Sequence, residues 1–202
     1  MYSAPAYRAT LRHFGARRVG PARRYRQAAT AAQRAAHLAS ARQLLLTTLD
    51  STVFPAWEGT PWVLYGTIWE PRRGSIACGY FVTTSLHDAG LHLRRTRLAK
   101  PASEVIIKNL TSEAHISRYC GFTPAGFVRR VQALGPGLCV LGLDFHVAVL
   151  RVRAGGAVQL VHSSCVGTGA VGREADTSAA LVSNYRVAGK TLASISGLRS
   201  CV

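Results

Sequence analysis

The chain has 202 residues, of which 48% are hydrophobic and 17% charged, so it can bury a core and is too apolar to be a disordered polyelectrolyte. Its net charge of +16 is unevenly spread, because nine arginines (Arg8 to Arg42) precede the first acidic residue, Asp50. The five cysteines are odd in number and lack CxxC spacing, which excludes a disulfide framework and a zinc ribbon.

Residues 1–27 are rich in Arg, Ala and Pro and lack clear periodicity, so an irregular start is expected. Residues 28–49 are helix-prone, with no internal Gly or Pro. Leu38, Leu44, Leu45 and Leu46 could lay an apolar stripe on the domain C-terminal to them, and Asp50-Ser51-Thr52 is expected to end the helix. We divide the chain into a basic extension, 1–45, partly disordered and then helical, and a globular domain, 46–202. An acid-free, arginine-rich arm is able to contact polyanions non-specifically, although a solvated arm accounts for the same composition. It also resembles a transit peptide, but the preference for Arg over Lys runs through the whole chain. No apolar stretch reaches the ~20 residues of a membrane span, and no secretory core appears near the start. The expected setting is the cytoplasm, or export by a non-classical route.

Between Gly59 and Ser75 lie two Trp-centred apolar pieces among turn formers, read as loops and short strands. A helix is predicted from Cys78 to about Ala89, stopped by Gly90. Others are predicted from Ser103, acting as a cap, and from Thr123 with Pro124 at the first helical position. Leu138 to Leu143, Phe145 to Val152 and Val158 to His162 read as strands. A glycine-rich loop comes next, then a closing strand from Tyr185 to Leu192. Helices succeeded by an antiparallel meander indicate an α+β fold.

The chemistry centres on Cys78. At a helix start, the dipole and the free N–H groups favour a thiolate and can stabilise the oxyanion of acyl transfer. Gly79 removes bulk beside the attacked carbonyl. Such a thiolate needs an imidazole as base and then acid. His146, opening an alternating strand, is the candidate. His162 ends the next strand, so antiparallel pairing makes it the neighbour that orients His146. Asp144, on the same strand face, is a further potential partner. His87 and Asp88 lie almost three turns from the helix start and read as surface residues; His115 and Cys120 read as ordinary surface or core residues, and Cys139 as core.

The motifs resemble those of the NlpC-type cell-wall peptidases and amidases of the papain-like superfamily, related to CHAP domains. Gly59-Thr60-Pro61-Trp62 and Tyr65-Gly66 stand where that family has Gly-x-Pro-Tyr and an aromatic-Gly pair. Ala77-Cys78-Gly79-Tyr80-Phe81-Val82 stands for its nucleophile motif. His146-Val147-Ala148-Val149-Leu150 and Leu160-Val161-His162-Ser163-Ser164 stand for its two histidine strands. The resemblance spans about residues 57–165. It implies a papain-like fold, with the nucleophile helix packed on a small antiparallel sheet, and a Cys78–His146–His162 triad. The implied activity is hydrolysis of an amide in a peptidoglycan stem peptide or another small peptide, without cofactor or metal. The family's Asp and Ser around the nucleophile are Ala77 and Gly79 here. Its oxyanion tyrosine aligns with Trp62, so Trp62 takes that role, Tyr65 replaces it, or the hole is incomplete. Three other readings compete: a zinc site of Cys78, His146, His162 and Cys165, a nucleic-acid-binding module, and a papain-like fold used for binding alone.

Overall fold

The computed structural model describes residues 3–191. The chain begins with a helical hairpin, α1 (Ala4–Gln27) and α2 (Ala31–Thr48). The irregular start expected over 1–27 is therefore replaced by a 24-residue helix. Ser3 caps it, Pro5 occupies its first turn and its alanines and arginines favour helix, while long-range contacts fix its place. The Tyr7 hydroxyl donates to Asp88 (2.6 Å), Arg18 donates to the Ala89 carbonyl (3.0 Å), and Arg8 pairs with Glu70. Its apolar face is too sparse to show as periodicity, since only Ala4, Tyr7 and Ala22 are buried.

Thr30 and Gln33 form a reciprocal capping box at the start of α2. The helix does not stop at Asp50. It continues through a π-helical turn, Leu49–Val53, into α3 (Phe54–Trp57), and Leu45, Leu46, Leu49, Phe54 and Trp57 all enter the core. Asp50 acts as an anchor instead, accepting from buried Arg151 (2.9 Å) and from Arg153 (2.5 Å).

The remaining helices are α4 (Cys78–Asp88), α5 (Arg95–Leu98), α6 (Ser103–Leu110) and α7 (Pro124–Ala133). Thr123 caps α7 as expected, whereas the N-cap of α6 is Ala102, with Ser103 already inside the helix. The strands are β1 (Ile116–Cys120), β2 (Gly137–Gly142), β3 (Val147–Val152), β4 (Val158–Ser163), β5 (Val171–Ala175) and β6 (Tyr185–Thr191). Leu192, where the last strand was expected to end, lies outside the described residues. All six form one antiparallel sheet in the order β1-β6-β2-β3-β4-β5. The α+β expectation is thus met.

Both faces of the central strands are covered. Val140, Val149 and Val161 pack with Phe81, Leu86, Ile107 and the α2–α3 segment, while Leu141, Leu150 and Leu160 pack with Phe127 and Val131 of α7. This is why β2 and β3 read as nearly continuous apolar runs. Against α4, the Arg95 guanidinium lies between Trp69 (3.9 Å to the ring centre) and Tyr80 (4.7 Å) and donates to Thr84 and to the Thr67 and Ile68 carbonyls. It ties the 64–70 loop to the helix of Cys78.

Replacing Asp50 with Asn should strand the buried Arg151 cation and lower stability by about 3 kcal/mol, measured by urea unfolding.

Candidate active site

Cys78 is the first residue of α4, after an extended Ala77 that offers no side-chain cap. The first-turn N–H groups are thereby left without a capping side chain, as the sequence anticipated. Cys78 lines a cleft of about 750 Å³ together with Trp62, Tyr65, Gly79, Lys100 and His146. His146 immediately precedes β3, in the turn of the β2–β3 hairpin. Cys78 and His146, 68 positions apart in the chain, thus line one cavity.

Behind His146 runs a chain of hydrogen bonds. His146 Nε2 is 3.0 Å from His162 Nδ1, and His162 Nε2 is 3.0 Å from Glu174 Oε1. The Ser178 hydroxyl donates to the other Glu174 oxygen. Burial alone would raise the Glu174 carboxyl, but the hydrogen bonds from Ser178 and His162 and the two imidazoles outweigh it and hold the group below its usual range. An ionised carboxylate only accepts, so His162 carries its proton on Nε2 and accepts at Nδ1. His146 then carries its own on Nε2. The lone pair of His146 Nδ1 is left for the cleft, where a base is needed. A single carboxylate fixes two tautomers in series.

Burial, reinforced by neighbouring His162, pushes the His146 imidazole down to about 4, with Glu174 opposing. It is therefore neutral at pH 7, with a lone pair free to accept a proton, and a weaker base than an ordinary imidazole.

The pocket residues differ in detail from expectation. The segment carrying Trp62 is stitched to the chain around β5, since Trp62 N–H donates to Gly169 (2.8 Å) and Val171 N–H to Thr60 (2.8 Å). Tyr65 stands on the rim, 85% exposed. Gly66 packs so closely on the Ser75–Ile76 backbone that no side chain fits, which explains the aromatic-Gly pair. Gly79 has a similar reason. A Cβ there would overlap the Ala99 carbonyl oxygen, so close backbone approach requires the glycine, beyond any relief of the attacked carbonyl.

Asp144 lines the cleft but is not a partner of His146. Its carboxylate accepts from the backbone N–H groups of Asn184 (2.9 Å) and Tyr185 (3.1 Å), which hold it below its usual range. His87 and Asp88 sit at the far end of α4. Cys139 is buried and its thiol pushed up to about 11, while Cys120 and Cys165 are exposed. Among the described residues, no group of three or more His, Cys, Asp or Glu side chains could hold a metal ion, and no helix is long and apolar enough to cross a membrane.

Sequence reasoning missed Glu174 and Ser178. Glu174 lies on β5, a short edge strand with one buried apolar residue, hidden behind the glycine-rich loop. Its signal was positional. In a β4–β5 hairpin with Gly172 opposite His162, residue 174 is the diagonal neighbour. No family model, curated protein or solved structure matches the chain.

The unfolded chain takes up the His146 proton near the ordinary 6.5, the folded one only near 4. The unfolded state therefore binds more protons across that window. The stability associated with His146 is fully present above about pH 6.5 and falls by on the order of 3 kcal/mol as the pH drops to 4. Urea unfolding across this range should show the slope, and His146→Gln should flatten it. Separately, Gly79→Ala should destabilise the fold by about 2 kcal/mol through overpacking on Ala99, read as a lower unfolding midpoint.

Proposed function

We propose that this protein is a cysteine hydrolase of papain-like design that cleaves amide bonds, with Cys78 as nucleophile and His146 as general base. One observation carries the reading: a carboxylate-anchored pair of imidazoles ends at the cleft that also holds an uncapped helix start bearing a cysteine.

The thiol proton passes to His146 Nδ1 as sulfur attacks the carbonyl carbon. The tetrahedral oxyanion lies against the Cys78 backbone N–H, with Trp62 or Tyr65 within the same cleft as a second donor. Collapse expels the amine, protonated by His146, and leaves a thioester. Water, deprotonated by the same imidazole, then releases the acid and regenerates the thiol. His162 and Glu174 touch no reacting atom. They hold His146 in the productive tautomer, and the Glu174 carboxylate favours the imidazolium that forms in each half-reaction.

The substrate class rests on the motif resemblance alone: an amide in a peptidoglycan stem peptide or another small peptide. The test is to incubate the protein with muropeptides and small amides and follow product masses. Cys78→Ala should abolish cleavage, and equal activity of that variant would overturn the proposal.

Glu174→Gln should lower kcat by about 10- to 100-fold while leaving KM within about twofold, because only the positioning chain is altered. The acid limb of the pH–rate profile should shift in the same variant, an effect that a loss of packing alone would not produce.

A further inference from the structure

A second cavity, of about 740 Å³, adjoins the cleft and shares Lys100 and Pro101 with it. Arg94, Arg97, Lys100 and His92 line it, and no carboxylate does. The side chains of Arg94, Arg97 and Lys100 make no hydrogen bond or ion pair with any described residue.

Most other cations of the globular part have a partner, and Arg129, which also lacks an ion pair with any described residue, does not line this basin. Arg73, Arg118, Arg151, Arg153 and Arg173 each meet a carboxylate, although Arg73 and Arg118 are exposed. The nearby carboxylate, Glu104 on α6, is already occupied by Lys108, Arg118 and the Tyr185 hydroxyl. Three unneutralised like charges around one concavity repel each other, and an entering anion relieves that repulsion. Two guanidinium forks favour a group with several oxygens, a carboxylate or a phosphate. Leu93, Pro101 and Val105 supply an apolar wall beside them, suited to a short aliphatic stem carrying the charge.

We propose that this basin is an anion subsite, and that the substrate of the Cys78 cleft carries a carboxylate or phosphate bound by Arg94, Arg97 and Lys100. The proposal rests on the hydrolase reading for its substrate, while the anion site itself stands on the basin alone. Because Lys100 and Pro101 border both spaces, one ligand can reach Cys78 with its amide while its charged group sits in the basin.

The test separates the two readings. In the full-length Cys78→Ala protein, where turnover cannot occur, inorganic pyrophosphate is titrated calorimetrically at fixed salt. R94Q/R97Q should weaken binding about tenfold, as should K100Q more modestly, whereas R23Q/R24Q on α1 removes the same charge elsewhere and should change it less than twofold. Equal losses in the two double variants, or no saturable binding, would overturn the subsite even if Cys78-dependent cleavage is found. With active protein, matched amides ending in a carboxylate, a phosphate or a neutral amide give the second readout. The anionic-to-neutral ratio of kcat/KM should exceed about tenfold and collapse toward one in R94Q/R97Q, and whichever anion gives the larger ratio identifies the native group. A ratio near one in the unmodified protein would overturn the assignment to substrate.

Discussion

The register between β3 and β4 is the constraint on which the site depends. Pairing Val149 with Val161 and Val152 with Val158 sets the start of one strand beside the end of the other, and so sets His146 against His162. A slip of one residue would send His162 to the opposite sheet face and Val161 into its place. The register cannot drift, because both faces are sealed: valines against α4 on one side, leucines against α7 on the other. Packing that stabilises the sheet thereby also holds the polar chain at its edge. The next register, β4 with β5, brings Glu174 to the far end of that chain.

Low dielectric sharpens the arrangement. His162 is 1% exposed, so an imidazole there without partners would be costly. It has one on each nitrogen. Glu174 stays ionised because it sits nearer the surface, where Ser178 satisfies its second oxygen. Negative charge therefore resides at the solvated end, and His146 is uncharged at rest with a lone pair toward the cleft.

The sequence made the central strands, α4 and α7 legible because their apolar runs, the Gly90 stop and the Thr123-Pro124 start are local signals. The Cys78 and His146 positions were legible for the same reason: one begins a helix and the other precedes a strand. What it concealed was decided by distant contacts. Helix α1 has almost no apolar stripe, and Tyr7 with Asp88 and Arg18 with Ala89 place it. Strand β5 has the composition of a loop and becomes a strand by pairing with β4. Asp50 resembles a helix terminator and is instead the counter-charge of Arg151, a role that depends on a strand a hundred residues later. Asp144 shares His146's alternation, yet its position in a hairpin turn gives it to the Asn184 backbone.

Two of these ties meet at the mouth of the cleft. The guanidinium sandwiched between Trp69 and Tyr80 locks one lip to α4, and the Asp144 carboxylate clamps the other to the segment entering β6. Neither jamb is hung on a free hinge. With both lips tied in advance, little ordering entropy is lost when a ligand enters.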